Sequence, residues 1–179
     1  MSDPRLFIIT GAMAAGKSTV AQAVAEALPK AVHLRGDVFR RMIVRGAAVM
    51  GPVLDDEAQA QLKLRHDLAC DAARRYHAAG FSVVYQDILI GPHLVAVAER
   101  LADLAPRIVV LAPDAATLAR RDLERSKTGY GAAFPPEILA EALLRETPRI
   151  GLWIDSSGMS VGEVVARVLA DGGCPARKA

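Results

Sequence analysis

The stretch Leu6-Phe7-Ile8-Ile9-Thr10-Gly11-Ala12-Met13-Ala14-Ala15-Gly16-Lys17-Ser18-Thr19 decides the fold. Leu6–Thr10 is a short apolar run, and Gly11 to Ser18 satisfies GxxxxGK[ST] at every position. Val20, Val24 and Leu28 then recur every four residues until Pro29 breaks the pattern. A buried strand, a glycine-rich turn and an amphipathic helix follow one another, which is the context the motif needs. Backbone N–H groups of such a turn wrap a phosphate, and the helix start adds a partial positive charge. The loop Gly11–Thr19 is therefore expected to bind ATP. Lys17 would reach the β- and γ-phosphates, and the Ser18 hydroxyl would hold Mg²⁺.

Four more short apolar runs lie further along: Ala31–Leu34, Phe81–Tyr85, Ile108–Ala112 and Ile150–Ile154. They are near-continuously hydrophobic, as strands buried on both faces are. Helical patterns separate them. Leu64, Leu68, Ala72 and Tyr76 recur at four-residue spacing in a helix expected from about 56 to 79, stopped by Gly80. Val161, Val164, Val165, Val168 and Leu169 mark one face of the last helix, with Ser160 and Glu163 as a capping box and Gly172 as its end. Strands alternating with helices imply parallel pairing through right-handed crossovers, hence a three-layer α/β fold.

The chain has 179 residues, enough for one domain, 1–179, with a substantial core. Its 52% hydrophobic content excludes a disordered chain. Lys and Arg number 22 against 20 Asp and Glu, a net of +2, so nothing points to nucleic acid or an anionic membrane as partner. Neither a membrane-spanning run nor a secretory leader is evident, and Cys70 and Cys174 form no CxxC pair, so a cytoplasmic protein is expected. The histidines 33, 66, 77 and 93 lack metal-ligand spacing. An apolar stripe on the 56–79 helix, if exposed, would support a homodimer.

No NKxD motif accompanies the phosphate loop, which argues against a GTPase. A small-molecule phosphotransferase needs a group to orient and deprotonate its acceptor hydroxyl. The second strand ends in Arg35-Gly36-Asp37, at the edge where parallel sheets place ligands. Asp37 is the candidate base, with an N-cap of the helix 38–45 as the alternative. Arg40, on that helix, is a candidate substrate contact. The third strand finishes Gln86-Asp87; a carboxylate there could hold Mg²⁺ through water or line the acceptor pocket. Arg121 and Arg125 share a helix face beside Glu124–Pro136, which contains Lys127 and Gly131 and reads as a mobile lid over about 121–135. Both could neutralise charge developing on the phosphates, or simply form a solvated basic helix end.

This pattern resembles the chloramphenicol phosphotransferase-like P-loop kinases, including relatives linked to tunicamycin resistance. The resemblance spans nearly the whole chain. It rests on Gly11–Thr19, on Asp37 after the second strand, on Phe81–Asp87, and on Asp114 leading into Arg121 and Arg125. It implies a five-stranded parallel sheet in the order 2-3-1-4-5 with a small lid after the fourth strand. It further implies Asp37 as catalytic base, Lys17 as phosphate anchor, Arg121 and Arg125 as lid arginines, and Ile154–Gly158 beside the adenine. Gln86-Asp87 stands where the chloramphenicol enzyme has two consecutive acids. The expected activity is ATP- and Mg²⁺-dependent transfer of the γ-phosphoryl to a hydroxyl of a small molecule, an antibiotic of tunicamycin or chloramphenicol type. The alternatives are a metabolic kinase of gluconate or shikimate type and a nucleotide-dependent binder that sequesters an antibiotic.

Overall fold

The computed structural model describes residues 3–51, 53–124 and 135–170. Five strands, β1 (Leu6–Gly11), β2 (Ala31–Arg35), β3 (Ser82–Gln86), β4 (Arg107–Leu111) and β5 (Leu152–Ile154), pair in parallel in the order 2-3-1-4-5. Among the described residues seven α-helices connect and cover them: α1 (Lys17–Glu26), α2 (Asp37–Arg41), α3 (Asp56–Ala78), α4 (Pro92–Arg100), α5 (Ala115–Leu123), α6 (Pro136–Glu146) and α7 (Val161–Ala170). Among the described residues no helix is long and apolar enough to cross a membrane.

Side chains alternate across each strand, so β1 divides its residues between two cores. Leu6 and Ile8 join Val83, Tyr85, Ile108 and Val110 under α3 and α4. Phe7 and Ile9 join Val84, Val109 and Leu111 under α1, α5 and α7. Every residue of β1 is buried. That explains why the strand carries no alternating polar residue apart from Thr10, whose hydroxyl donates to Leu89 O at 3.0 Å and accepts from Leu89 N at 2.8 Å. This pair ties the end of β1 to the loop after β3.

The apolar stripe of α3, whose exposure the sequence leaves open, faces outward. Leu64, Leu68 and Tyr76 are 51%, 40% and 43% exposed, and the inward face is Ala58, His66, Ala69, Cys70 and Ala73. Small residues let the helix settle close to the sheet, where Tyr85 of β3 fills the remaining volume; the larger leucines are left outside. Helix α2 is also shorter than the expected 38–45, ending at Arg41. The capping box of α7 forms, Ser160 N donating to Glu163 Oε2 at 2.8 Å and Glu163 N to Ser160 Oγ at 3.3 Å. Gly172 and Cys174 lie outside the described residues.

Candidate active site

All strands point their C-terminal ends to the same edge of the sheet, and there a cavity of about 600 Å³ opens. One end is built by the turn between β1 and α1. Ala14 holds φ 59° and Gly16, the residue before α1, holds φ 92°. Alternation of right- and left-handed residues turns successive N–H groups to one side and makes an anion-binding concavity. The left-handed conformation is disfavoured for Ala14 by about 1–2 kcal/mol, and Gly16 adopts it without that penalty. Met13 to Thr19 all line the cavity. Gly11 and Ala12 sit behind it, and Lys17 Nζ donates to Ala12 O at 2.7 Å. Arg121 reaches from α5 to this end: Nη2 donates to Ser156 O at 2.8 Å and Nη1 to Ala15 O at 3.4 Å. One guanidinium thus joins the phosphate-loop turn to the loop after β5, where Ser156 and Met159, with Val161 and Val164 of α7, line the cavity. Arg125 and the segment 125–134, with Lys127 and Gly131, lie outside the described residues.

The other end is assembled from α2, α3 and the residues that follow β3. Asp37 is the first residue of α2, but the residue before the helix is Gly36 and no side chain caps it. One Asp37 oxygen, Oδ2, accepts from Arg41 at 2.7 Å. The other, Oδ1, has no hydrogen-bond partner among the described residues. The carboxylate therefore stands at the cavity wall without the capping bond that would have explained it structurally.

Asp87 is placed differently from a bare metal-holding carboxylate. It is wholly buried and ion-paired with Arg65 of α3, which donates through both Nε, at 2.9 Å, and Nη2. Tyr85 Oη donates to it at 3.3 Å and the Ile88 amide at 2.7 Å. Gly36 is packed so closely that a Cβ there would lie 1.9 Å from Asp87 Oδ2, so only glycine fits between β2 and α2. Burial lowers the Arg65 pKa from its ordinary value, with the charges of Tyr85 and Asp37 acting against the shift.

Gln86, 5% exposed, presents its carboxamide to the phosphate end and accepts from Ser18 Oγ at 3.3 Å. Ser18 and Gln86 oxygens thus converge at the start of α1, a donor set that suits a hard divalent cation. Arg40, read from the sequence as a substrate contact, is turned away: its Nη2 donates to Ala48 O at 2.9 Å in the segment between α2 and α3.

Arg65 and Gln86 were the residues that sequence reading missed. Arg65 had a signal, since it falls in four-residue register with Ala69 and Ala73, the buried face of α3. A cation on such a face requires a buried carboxylate opposite. Of the other groups near this edge, His66 and His93 meet edge to face at 5.4 Å, and burial lowers the His66 pKa to about 4. Cys70 is fully buried, with its thiol pushed up to about 11 by burial. Trp153 is partly buried against the α3 and α4 core with the Arg149 guanidinium over its ring at 4.1 Å, far from a nucleobase platform's open face.

Solved structures share this architecture. A tunicamycin resistance protein of Deinococcus radiodurans superposes with a TM-score of 0.66 at 18% identity, over 98% of this chain and 99% of that one. The APS kinase CysC of Mycobacterium tuberculosis, in complex with AMPPNP and APS, gives 0.70 at 18% identity, over 97% and 100%. A gluconokinase of Sinorhizobium meliloti gives 0.63 at 19% identity, over 96% and 93%. At these identities the likeness shows the fold, a P-loop kinase-like one. Among curated proteins none matches the sequence. A family model described as an AAA domain matches residues 6–148, the strands β1 to β4 with their helices and α6, and the chain belongs to that family.

Proposed function

We propose that this protein is an ATP- and Mg²⁺-dependent phosphotransferase that moves the γ-phosphoryl group to a hydroxyl of a small molecule. The observation that carries the reading is the pairing, across one cavity, of the phosphate-loop turn with the Asp37 carboxylate, whose Oδ1 has no hydrogen-bond partner among the described residues. The turn would hold the triphosphate by backbone N–H groups and by Lys17, with Arg121 adding positive charge beside Ala15. Bound Mg²⁺, at Ser18, would neutralise charge on the phosphate oxygens.

At the opposite end Asp37 orients the acceptor hydroxyl and takes its proton. The hydroxyl oxygen forms a bond to the γ-phosphorus as the bond from that phosphorus to the bridging oxygen of ADP breaks, and ADP leaves with the electron pair. Water must stay out of this step, or ATP is hydrolysed instead. Arg65 and Asp87, with opposite charges joined at the wall, shape the acceptor end without adding net charge. An antibiotic hydroxyl is the favoured acceptor, on the resemblance to resistance kinases and the shared fold of the Deinococcus protein. A metabolic acceptor of gluconate or shikimate type is the second reading, on the same fold as the gluconokinase and the Acinetobacter baumannii shikimate kinase.

Mass spectrometry tests this directly, with protein, ATP and Mg²⁺ incubated with tunicamycin, chloramphenicol, other nucleoside antibiotics, gluconate and shikimate. The expected result is one added phosphoryl group on an antibiotic, lost with Lys17→Ala. A phosphorylated sugar acid or shikimate would move the protein to the metabolic class. Tunicamycin that binds by calorimetry yet is never modified would replace transfer with sequestration.

A further inference from the structure

The hydrogen bond between Ser18 and Gln86 has a consequence for the metal. A hydroxyl has one proton and two lone pairs. With its proton given to Gln86 Oε1 at 3.3 Å, Ser18 Oγ is left with its lone pairs to offer the cavity that both residues line. Gln86 is 5% exposed and ends β3, whose last backbone carbonyl accepts from Gly36 N at 3.0 Å, so the carboxamide sits on a fixed base. The carboxylate one residue on cannot take the same role. The two oxygens of Asp87 are engaged by Arg65, Tyr85 and the Ile88 amide. Among the described residues no group of three or more His, Cys, Asp or Glu side chains could hold a metal.

The geometry points to Gln86, rather than Asp87, as the residue that positions the Mg²⁺ ligand of this site: its neutral carboxamide oxygen orients the Ser18 hydroxyl and brings no negative charge to the metal. The inference rests on the nucleotide-binding reading above. Beside the start of α1, Ser18 and Gln86 offer only neutral oxygens, so there the nucleotide's own phosphates supply the charge that attracts the cation. Metal and nucleotide then enter as a unit, and the protein alone has little hold on Mg²⁺.

Calorimetric titration of the full chain with AMPPNP, in Mg²⁺ and in EDTA, gives a ratio of affinities that reports this coupling without any turnover. Gln86→Leu, which removes the acceptor for the Ser18 proton, should lower the ratio about tenfold, equivalent to about 1.4 kcal/mol. Its affinity in EDTA should stay within about twofold of the parent, because the loop amides and Lys17 are untouched. Gln86→Glu keeps the acceptor and adds a charge; its ratio should equal or exceed the parent's, and Mn²⁺ should bind the nucleotide-free protein detectably by electron paramagnetic resonance. Asp87→Asn should leave the ratio unchanged. A parental ratio in Gln86→Leu, or a ratio in Gln86→Glu as low as that expected of the leucine variant, overturns the inference. A ratio lost in Asp87→Asn and kept in Gln86→Leu transfers the role to Asp87. Thermal melts identify a variant that does not fold, and the glutamate variant decides the matter if the leucine one fails. If AMPPNP binds the parent in neither buffer, the nucleotide reading falls and takes this inference with it; binding with unaltered coupling refutes the inference alone.

Discussion

The two ends of the cavity are made in opposite ways. At the phosphate end a single contiguous stretch, Met13 to Val20, supplies most of the wall, and Gln86, Arg121, Glu124, the loop after β5 and the start of α7 complete it. At the acceptor end Asp37, Arg65 and Asp87 come from three elements, 28 and 22 residues apart along the chain, and meet only because β2 and β3 are neighbours with α3 across them. A contiguous motif carries its geometry in local backbone conformation. An assembled one depends on the tertiary fold, so its parts should be coupled to stability where the loop's are coupled to ligand.

The strongest test of that division is Arg65→Ala. The Arg65 side chain is 13% exposed and that of Asp87 is fully buried. Removing the guanidinium strands the carboxylate beneath Gly36, which should destabilise the protein by about 3–5 kcal/mol. Urea unfolding measures this. A loss under about 1 kcal/mol would mean the pair is solvated and the acceptor end far looser than drawn. Replacing both partners with apolar residues of similar volume should recover much of the loss, because no charge is then left unpaired.

Asp37→Asn makes the opposite demand on the same end. Its carboxylate is half exposed, and its hydrogen-bonded ion pair among the described residues is the surface one with Arg41, so unfolding should shift by less than about 0.5 kcal/mol. Phosphoryl transfer should nevertheless drop about 10²-fold or more, with AMPPNP affinity unaltered, as for loss of a general base. An asparagine variant with full activity would make Asp37 a wall residue only.

This contrast also accounts for what could be read from sequence. The inner strands β1, β3 and β4 stood out because they are buried on both faces, whereas the edge strands β2 and β5 are only partly covered; the order 2-3-1-4-5 matches expectation. Met13–Thr19 were legible because local spacing encodes their conformation. Arg65 was only half legible: its register with Ala69 and Ala73 marks a cation on the inner face of α3, but nothing near it in sequence records that Asp87 lies opposite. Arg40 misled for the same reason: its helix ends at Arg41, and the following segment folds back to offer Ala48 O. On α3 the large residues drew the eye, although close approach to the sheet selects the small ones. Tertiary proximity overrode the hydrophobic stripe.

The pH response of α3 gives a smaller, directional effect. His66 is buried against His93, with Arg65 and Asp67 beside it, and its folded pKa of about 4 lies below the ordinary 6.5. Between those values the unfolded chain binds the extra proton, so stability should fall as pH drops from about 6.5 toward 4. By linkage the share from this one group is about 2 kcal/mol at pH 5. Urea midpoints at pH 7.5 and 5 should therefore diverge more in the parent than in His66→Gln. Equal divergence would assign the acid sensitivity to other groups.

The smallest expected effect probes the one locally encoded feature of the acceptor end. Asp55 precedes α3 in an extended conformation, and its side chain accepts from Ala58 N at 2.8 Å, a regular N-cap. Asp55→Ala should cost about 1 kcal/mol in unfolding. Three turns further on, the Arg65–Asp87 pair clamps the same helix to β3, so fraying at the start should stop before it reaches Arg65. Stability should therefore fall while transfer to the acceptor is kept within about twofold. A tenfold loss of transfer at a 1 kcal/mol loss of stability would show that the whole helix moves with its cap. The acceptor end would then depend on local signals as much as the phosphate loop does, and the division between the two ends would not hold.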